Sequence, residues 1–215
     1  STFAECLANR LDAVLQSEPA SENDKGEFNY YLNDYYKDPS GYAFKMQIFL
    51  LSQRYRSHLA AQAYALAGIK DVVEDSSYWS DRVFANIQHE LGYFDDRDMK
   101  TYLALHKDMQ ANVLYPTAMV YLDTPVDVAI DRIARRISEK EGRKCESSIS
   151  KEYMNLLDRE IRIMIKSLEP FTTIIHLKTV TDDGVEISVN DLVDTALNEL
   201  SKIHRDPMDA WCGVL

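Results

Sequence analysis

The chain contains few residues of several types, and each scarcity excludes a class of protein. Its 215 residues include only 3 Cys, 7 Gly and 6 Pro, which argues against a disulfide scaffold, a collagen-like repeat or a disordered Pro- and Gly-rich chain. Cys6, Cys145 and Cys212 lie far apart and match no metal-ligand spacing, so we expect a reducing, cytoplasmic setting. No run approaches the ~18 consecutive apolar residues of a membrane span.

Basic residues are also scarce relative to acidic ones. The 24 Lys and Arg stand against 35 Asp and Glu, which gives a net charge of -11. This balance argues against a nucleic-acid or membrane partner, because phosphate backbones and acidic lipids attract positive surfaces. With 46% apolar and 10% aromatic residues, we expect a folded core in a single domain over residues 1–205, followed by a tail over 206–215.

The spacing of apolar residues predicts helices that alternate with short strands. Helical patterns cover 3–11, 43–67, 79–91, 96–112, 126–138, 150–167 and 192–203, and strand patterns cover 69–73, 118–122 and 172–177. Residues 13–16 either form a short strand or continue the first helix, and 38–41 have the composition of a turn. Strands rich in Ile and Val that alternate with helices indicate an α/β fold with a doubly wound parallel sheet, covered on both faces.

Ser1 and Thr2 stand at the start of the first predicted helix, and two interpretations of them are open. In P-loop proteins a Gly-rich turn that ends in Gly-Lys-Ser/Thr leads into a helix whose free N–H groups face phosphates. Ser1 and Thr2 match the part of that motif after the lysine, although both residues are also ordinary helix N-caps. The sequence has no initiator Met, so we expect an upstream strand and glycine-rich turn.

Polar motifs follow one another along the chain in a characteristic order. They are Glu18-Pro19, Tyr36, Asp38-Pro39, Gln47 with Arg54, Asp75 with Asp81, and Arg132 with Arg136. This set resembles the deoxyribonucleoside kinases, the group of deoxycytidine, deoxyguanosine and deoxyadenosine kinases, over nearly the whole chain. The resemblance implies a P-loop kinase-like fold, ATP and Mg²⁺ as cofactors, a homodimer, and phosphoryl transfer to the 5′-hydroxyl of a deoxyribonucleoside.

The resemblance assigns roles in the reaction to Glu18 and Asp75 of this set, and to Ser1. Glu18 is similar to the general base that accepts the proton of the 5′-hydroxyl, a role for which a carboxylate suffices because the loose transition state needs positioning more than strong basicity. Asp75 and Ser1 resemble the magnesium ligands. Taken alone, Glu18 also fits a solvated loop acid and Asp75 also fits a helix N-cap.

The resemblance assigns recognition of the base to Gln47, Arg54 and Asp81. A Gln amide offers a donor and an acceptor to a base edge, and an Arg paired with Asp forms a fixed fork. The Arg54 and Asp81 pair favours deoxycytidine or a purine deoxynucleoside over thymidine. Phe84 is expected to stack on the base, with core packing as its alternative. Gln47 and Arg54 also fit the polar face of a long helix.

The remaining implied contacts concern the sugar and the phosphates. Tyr36 and Glu141 resemble the pair that holds the 3′-hydroxyl. The cofactor-binding residues expected to contact the triphosphate are Ser1, Thr2, Arg132 and Arg136. Arg136 is also expected to act in catalysis, because Arg engages phosphate bidentately. A salt-bridged, solvent-facing helix is the alternative for both arginines.

Three departures from the family pattern remove positive charge from the path of the phosphoryl group. The P-loop glycines and lysine are absent, and Ser76 and Ser138 stand where the family carries arginines. Loss of such a group lowers the rate on the order of 10²-fold or more. Either an omitted upstream segment supplies the loop, or the protein is a kinase-like structural or regulatory subunit. A deoxynucleoside monophosphate kinase is the second enzymatic alternative.

Overall fold

The computed structural model describes residues 2–17, 31, 34, 35, 37–139 and 149–203, which contain both helices and short strands. The helices are α1 (Thr2–Leu11), α2 (Pro39–Leu66), α3 (Tyr78–Glu90), α4 (Asp96–Gln110), α5 (Val126–Glu139), α6 (Lys151–Leu168) and α7 (Val189–Ser201). The strands are β1 (Val14–Gln16), β2 (Val72–Glu74), β3 (Ala118–Asp123) and β4 (Thr173–Lys178). None of these described helices is long and apolar enough to cross a membrane.

The strands pair in parallel, as predicted. Val14 of β1 lies opposite Val72 of β2, and Ala118 of β3 lies opposite Thr173 of β4. The described strands form two pairs, β1 with β2 and β3 with β4.

Both faces of the β3–β4 pair are covered, because successive side chains of a strand point to opposite sides. Val120 and Ile175 pack in a cluster with residues of α1 and α7. Their neighbours Met119 and Ile174 pack on the other side, against a cluster built on α2, α3 and α4. The prediction of a parallel sheet covered on both faces is therefore confirmed for this pair, and the second cluster is the one that carries the candidate site.

The first helix ends before the segment whose structure the sequence left open. Asp12 has a φ of 51°, in the left-handed region that terminates helices. The Ala13 N–H donates to the Ala8 carbonyl at 2.9 Å, and the Val14 N–H donates to the Asp71 carbonyl at 2.9 Å. Residues 14–16 thus form strand β1, which settles the alternative in favour of the strand.

The second helix begins earlier than predicted. Asp38 is its N-cap and accepts a hydrogen bond from the Gly41 N–H at 3.1 Å, with Pro39 at the first helical position. The prediction of a turn over 38–41 is wrong because Asp, Pro, Ser and Gly suit the first turn of a helix as well as a β-turn.

The start of β2 also differs from the prediction. Gly68 has a φ of 64°, and its N–H donates to the Ala65 carbonyl while the Ile69 N–H donates to the Tyr64 carbonyl. These bonds satisfy carbonyls at the end of α2 and draw Ile69 into the helix cap. The strand therefore covers 72–74 instead of 69–73, and Ile69 is 64% exposed.

Candidate active site

Gln47 and Arg54 lie on the buried face of α2. The two residues are seven apart, about two helical turns, so their side chains leave the helix on the same side. Gln47 has no exposed surface, and Arg54 is 2% exposed. The alternative of a solvated polar face is therefore wrong for this pair. A buried guanidinium also requires a countercharge, because desolvation of an unpaired ion is costly.

Asp81 supplies that countercharge from the first turn of α3, where it is fully buried. Its Oδ1 accepts from Arg54 Nη1 at 2.5 Å. Gln47 Nε2 donates to Asp81 Oδ2 at 2.8 Å and to the Asp81 carbonyl at 3.2 Å. The Tyr102 hydroxyl of α4 donates to Oδ2 at 2.7 Å, and burial and the charge of Asp81 raise the pKa of that phenol. Three helices therefore converge on one carboxylate.

Phe84 follows Asp81 by one helical turn and packs beside the same arginine. The carbon at the centre of the Arg54 guanidinium lies 5.0 Å from the centroid of the Phe84 ring, a distance at which a cation is attracted to the ring face. The structure thus brings together four residues of the predicted base-binding set: Gln47, Arg54, Asp81 and Phe84.

Two further residues of this cluster were not predicted from the sequence. Gln88 is 4% exposed, and its Nε2 donates to Gln47 Oε1 at 2.9 Å. It follows Asp81 by seven residues, the spacing that also separates Gln47 from Arg54, so a shared helix face was a usable signal. Tyr102 carries no such signal among the 13 Tyr of the chain. We call Gln47, Arg54, Asp81, Gln88 and Tyr102 the buried polar cluster.

The carboxyl end of β2 adjoins the buried polar cluster. Asp75 directly follows the strand, is half-buried, and donates its backbone N–H to the Gln16 carbonyl at 2.9 Å. Ser76 has a φ of 72°, which is uncommon for a residue other than glycine. Its Oγ accepts from Arg54 Nε at 3.2 Å. The position at which the resemblance predicts an arginine is therefore occupied by a hydroxyl bound to the arginine of the cluster.

A buried pair, His58 and Glu74, joins α2 to the last residue of β2. His58 Nδ1 lies 2.9 Å from Glu74 Oε2, and His58 Nε2 lies 2.9 Å from the Leu114 carbonyl oxygen. Because both ring nitrogens face acceptors, the imidazolium satisfies both contacts. Burial lowers the pKa of His58, but the hydrogen bond and charge of Glu74 and the Leu114 carbonyl outweigh burial and raise the pKa above its ordinary value.

The predicted phosphate-binding arginines lie on α5. Arg132 Nε and Arg135 Nη2 donate to the Glu186 carboxylate at 3.0 and 2.5 Å, and these bonds hold the pKa of Glu186 below its usual value. The salt-bridged alternative therefore describes Arg132 in this structure. Arg136 lies one turn further along and is exposed. The binding of triphosphate by Arg132 and Arg136 stays a prediction.

Four predicted site residues lie outside the described part of the chain: Ser1, Glu18, Tyr36 and Glu141. Thr2 opens α1, so its predicted role depends on the free N–H groups at that helix end. Among the described residues, no group of three or more His, Cys, Asp or Glu side chains is placed to hold a metal ion. The roles of these five residues stay predictions, and so does the binding of Mg²⁺ by Ser1 and Asp75.

Comparison with known proteins identifies deoxynucleoside kinases and a subunit of NADH dehydrogenase as relatives. A deoxyadenosine kinase of Dictyostelium discoideum is 31% identical over 149 residues, which are 69% of this chain and 57% of that relative. The chain therefore spans little more than half the length of that kinase. Subunit 10 of the NADH dehydrogenase 1 alpha subcomplex from Bos taurus mitochondria is 27% identical over 129 residues, 59% of this chain and 36% of that subunit.

A solved structure and a family model extend the likeness over almost the entire chain. Deoxyadenosine kinase from M. mycoides with bound dCTP matches with a TM-score of 0.72 and 23% identity, over 94% of this chain and 92% of that one. This match confirms the predicted P-loop kinase fold. The deoxynucleoside kinase family model matches residues 1–205, so the chain belongs to the deoxynucleoside kinase family.

Proposed function

We propose that the protein transfers the γ-phosphoryl group of ATP to the 5′-hydroxyl of a deoxyribonucleoside. The observation that carries the proposal is the buried polar cluster, in which Gln47, Arg54 and Asp81 meet beside the carboxyl end of β2. In α/β folds, ligands bind outside the carboxyl ends of the strands. A buried ion pair contributes little net stability compared with apolar packing, so its presence there supports a binding role.

In the proposed reaction the 5′-oxygen attacks the γ-phosphorus, the bond from that phosphorus to the β–γ bridging oxygen breaks, and ADP leaves. Glu18 accepts the proton of the attacking hydroxyl. Ser1 and Thr2 bind phosphate oxygens. Arg132 and Arg136 neutralise the charge on the transferred group, which is the main contribution a protein makes to phosphoryl transfer.

Mg²⁺ belongs to the proposal, with Asp75 and the Ser1 hydroxyl as its protein ligands. Mg²⁺ is commonly bound through one or two carboxylates together with substrate phosphates. Asp75 is a half-buried residue directly after β2, and its carboxylate fits this donor chemistry. When bound, the ion would neutralise charge on the β- and γ-phosphates.

The proposed substrate carries cytosine or a purine in preference to thymine. An ionised carboxylate only accepts hydrogen bonds, and the Asp81 carboxylate is the centre of the buried polar cluster. Cytosine and adenine present an amino group on the base edge, and guanine presents an N–H and an amino group beside its carbonyl. Thymine presents a single N–H between two carbonyls. Tyr36 and Glu141 hold the 3′-hydroxyl. A homodimer in the cytoplasm completes the proposal, with the family resemblance and the cysteine content as its support.

Phosphate transfer from labelled ATP tests this function directly, with protein made from the complete gene. Deoxyadenosine, deoxyguanosine, deoxycytidine and thymidine are assayed separately in the presence of Mg²⁺. We expect 5′-monophosphates from at least one of the first three. If none of the four nucleosides is phosphorylated, the proposal is refuted. If phosphate is transferred to a deoxynucleoside monophosphate but to no nucleoside, the protein is a monophosphate kinase instead.

A structural or regulatory subunit is the second candidate. Ser76, which replaces an arginine of the phosphoryl path and bonds to Arg54, favours it, as does the similarity to an NADH dehydrogenase subunit. This candidate predicts that ATP does not raise the melting temperature and that the protein purifies in a stable complex with other subunits. A clear ATP-dependent thermal shift together with turnover would exclude it.

A further inference from the structure

We infer that His58 positions Asp75, the proposed Mg²⁺ ligand, by holding the residue before it. The inference deepens the proposed function and rests on it. Glu74 is the last residue of β2, and Asp75 follows it directly. Consecutive Cα atoms lie about 3.8 Å apart, so a contact that fixes Glu74 also limits how far Asp75 can move. In this role His58 acts through Glu74 and is a positioning residue.

The Glu74 side chain is held to α2 by His58. Glu74 Oε2 lies 2.9 Å from His58 Nδ1, and the two side chains are 13% and 6% exposed. Glu74 Oε1 is buried and has no hydrogen-bond partner among the described residues. The carboxylate is therefore fixed through Oε2. Because the pair is shielded from water, its hydrogen bond is electrostatically stronger than a bond at the surface.

The His58 ring is itself fixed, so it can serve as an anchor. Its Nε2 lies 2.9 Å from the Leu114 carbonyl oxygen, and the Leu114 N–H donates to Gln62 Oε1 at 3.0 Å. Gln62 lies one turn beyond His58 on α2, so this connection returns to the same helix. The Tyr78 ring packs against the imidazole with 6.4 Å between the centroids and 61° between the planes. These contacts set the direction in which Nδ1 meets Glu74.

A second contact holds the residue after Asp75 to the same helix. Arg54 precedes His58 by four residues, so both side chains leave α2 on one face. The Arg54 Nε donates to Ser76 Oγ at 3.2 Å. The Asp75 N–H donates to the Gln16 carbonyl of β1 at 2.9 Å. Asp75 therefore lies between two residues that α2 holds, at the end of a strand that β1 holds.

Two substitutions separate the two contacts of the His58 ring. The Asn side-chain nitrogen lies near the position of Nδ1, and the Gln side-chain nitrogen lies near the position of Nε2. His58→Asn therefore keeps a donor for Glu74, whereas His58→Gln keeps a donor for the Leu114 carbonyl. His89→Gln is the matched control, because His89 contacts Asp96 at 3.1 Å in an exposed pair.

Two measurements are made on wild-type protein and on each variant. Amide hydrogen exchange without Mg²⁺ or ATP reports on the end of β2 through the Asp75 N–H. The Val14 N–H, which donates to the Asp71 carbonyl at the other end of this strand pair, is the internal reference. Steady-state kinetics give the Mg²⁺ concentration for half-maximal rate and KM for the deoxynucleoside.

We expect His58→Gln to speed exchange of the Asp75 amide and to leave the Val14 amide unchanged. The half-maximal Mg²⁺ concentration should rise about tenfold, because groups that orient a metal ligand typically change metal affinity or activity by about 10–100-fold. KM for the deoxynucleoside should change little. His58→Asn should stay closer to wild type than His58→Gln in both measurements, and His89→Gln should match wild type.

Equal effects of His58→Asn and His58→Gln, or equal acceleration of the Val14 and Asp75 amides, would overturn the inference. If His58→Gln does not fold, Glu74→Gln takes its place. This variant weakens the contact because it removes the charge of the acceptor, so unchanged exchange of its Asp75 amide also overturns the inference. Wild-type protein that phosphorylates no deoxynucleoside overturns the proposed function instead, while the exchange rates still decide whether His58 holds the end of β2.

Discussion

The Arg54 and Asp81 pair allows a quantitative prediction about stability. Asp81→Asn removes the charge and preserves the shape, and Arg54→Met removes the guanidinium and preserves most of the apolar stem. Because the two residues are 2% and 0% exposed, water screens neither charge. Loss of one partner of such a pair costs about 3–5 kcal/mol, a large part of the ~5–15 kcal/mol that stabilises a typical domain.

A double variant that combines Asp81→Asn with Arg54→Met shows whether the loss of stability comes from the pair itself. It is compared with wild-type protein and the two single variants. Once Asp81 has lost its charge, Arg54→Met no longer breaks an ion pair, so the two losses should overlap by about 2 kcal/mol or more. Urea unfolding of the four proteins gives the free energies. Lys178 and Asp182, an exposed pair at 2.9 Å, provide the control cycle, in which the effects should be additive. Additivity within about 0.5 kcal/mol for Arg54 and Asp81 would refute the reasoning.

Three further predictions concern side-chain contacts of His58, Glu186 and Tyr102. Because the folded-state pKa of His58 is raised, the stability advantage of wild-type protein over His58→Asn should be greatest below about pH 6.5 and decline as pH rises through that pKa; urea unfolding that shows the opposite trend contradicts this. Glu186→Gln should lower KM for ATP, because the carboxylate competes with phosphate for Arg132; an unchanged KM argues otherwise. Tyr102→Phe should lower the unfolding free energy by about 1 kcal/mol, and no loss in urea unfolding would count against its hydrogen bond to Asp81.

Most of the fold could be predicted because the spacing of apolar residues is a local signal. The pattern over 118–122 became β3, and the pattern over 150–167 became α6, each within one residue. The predictions that failed depended on residues with two uses. Asp38 and Pro39 suit a turn and a helix start equally, and Gly68 draws Ile69 into the cap of α2. Pairing of the strands depends on contacts between distant residues, which periodicity does not contain.

In the candidate site, too, local spacing could be read from the sequence, whereas contacts between distant residues could not. The spacing of Gln47 and Arg54 was visible in the sequence, and the family resemblance supplied Asp81 as their partner. Gln88 was missed although it repeats that spacing on α3. The contact between Arg132 and Glu186 joins residues 54 positions apart, so no local pattern could reveal that a carboxylate occupies this arginine.

Phosphoryl transfer to the four deoxynucleosides by protein from the complete gene, compared with its Asp81→Asn variant, tests the central claim most directly. The account predicts Mg²⁺-dependent formation of 5′-monophosphates, with deoxyadenosine, deoxyguanosine or deoxycytidine preferred over thymidine, and loss of that preference in Asp81→Asn. A folded wild-type protein that binds ATP and phosphorylates none of the four would contradict the claim that the buried polar cluster serves a deoxynucleoside kinase.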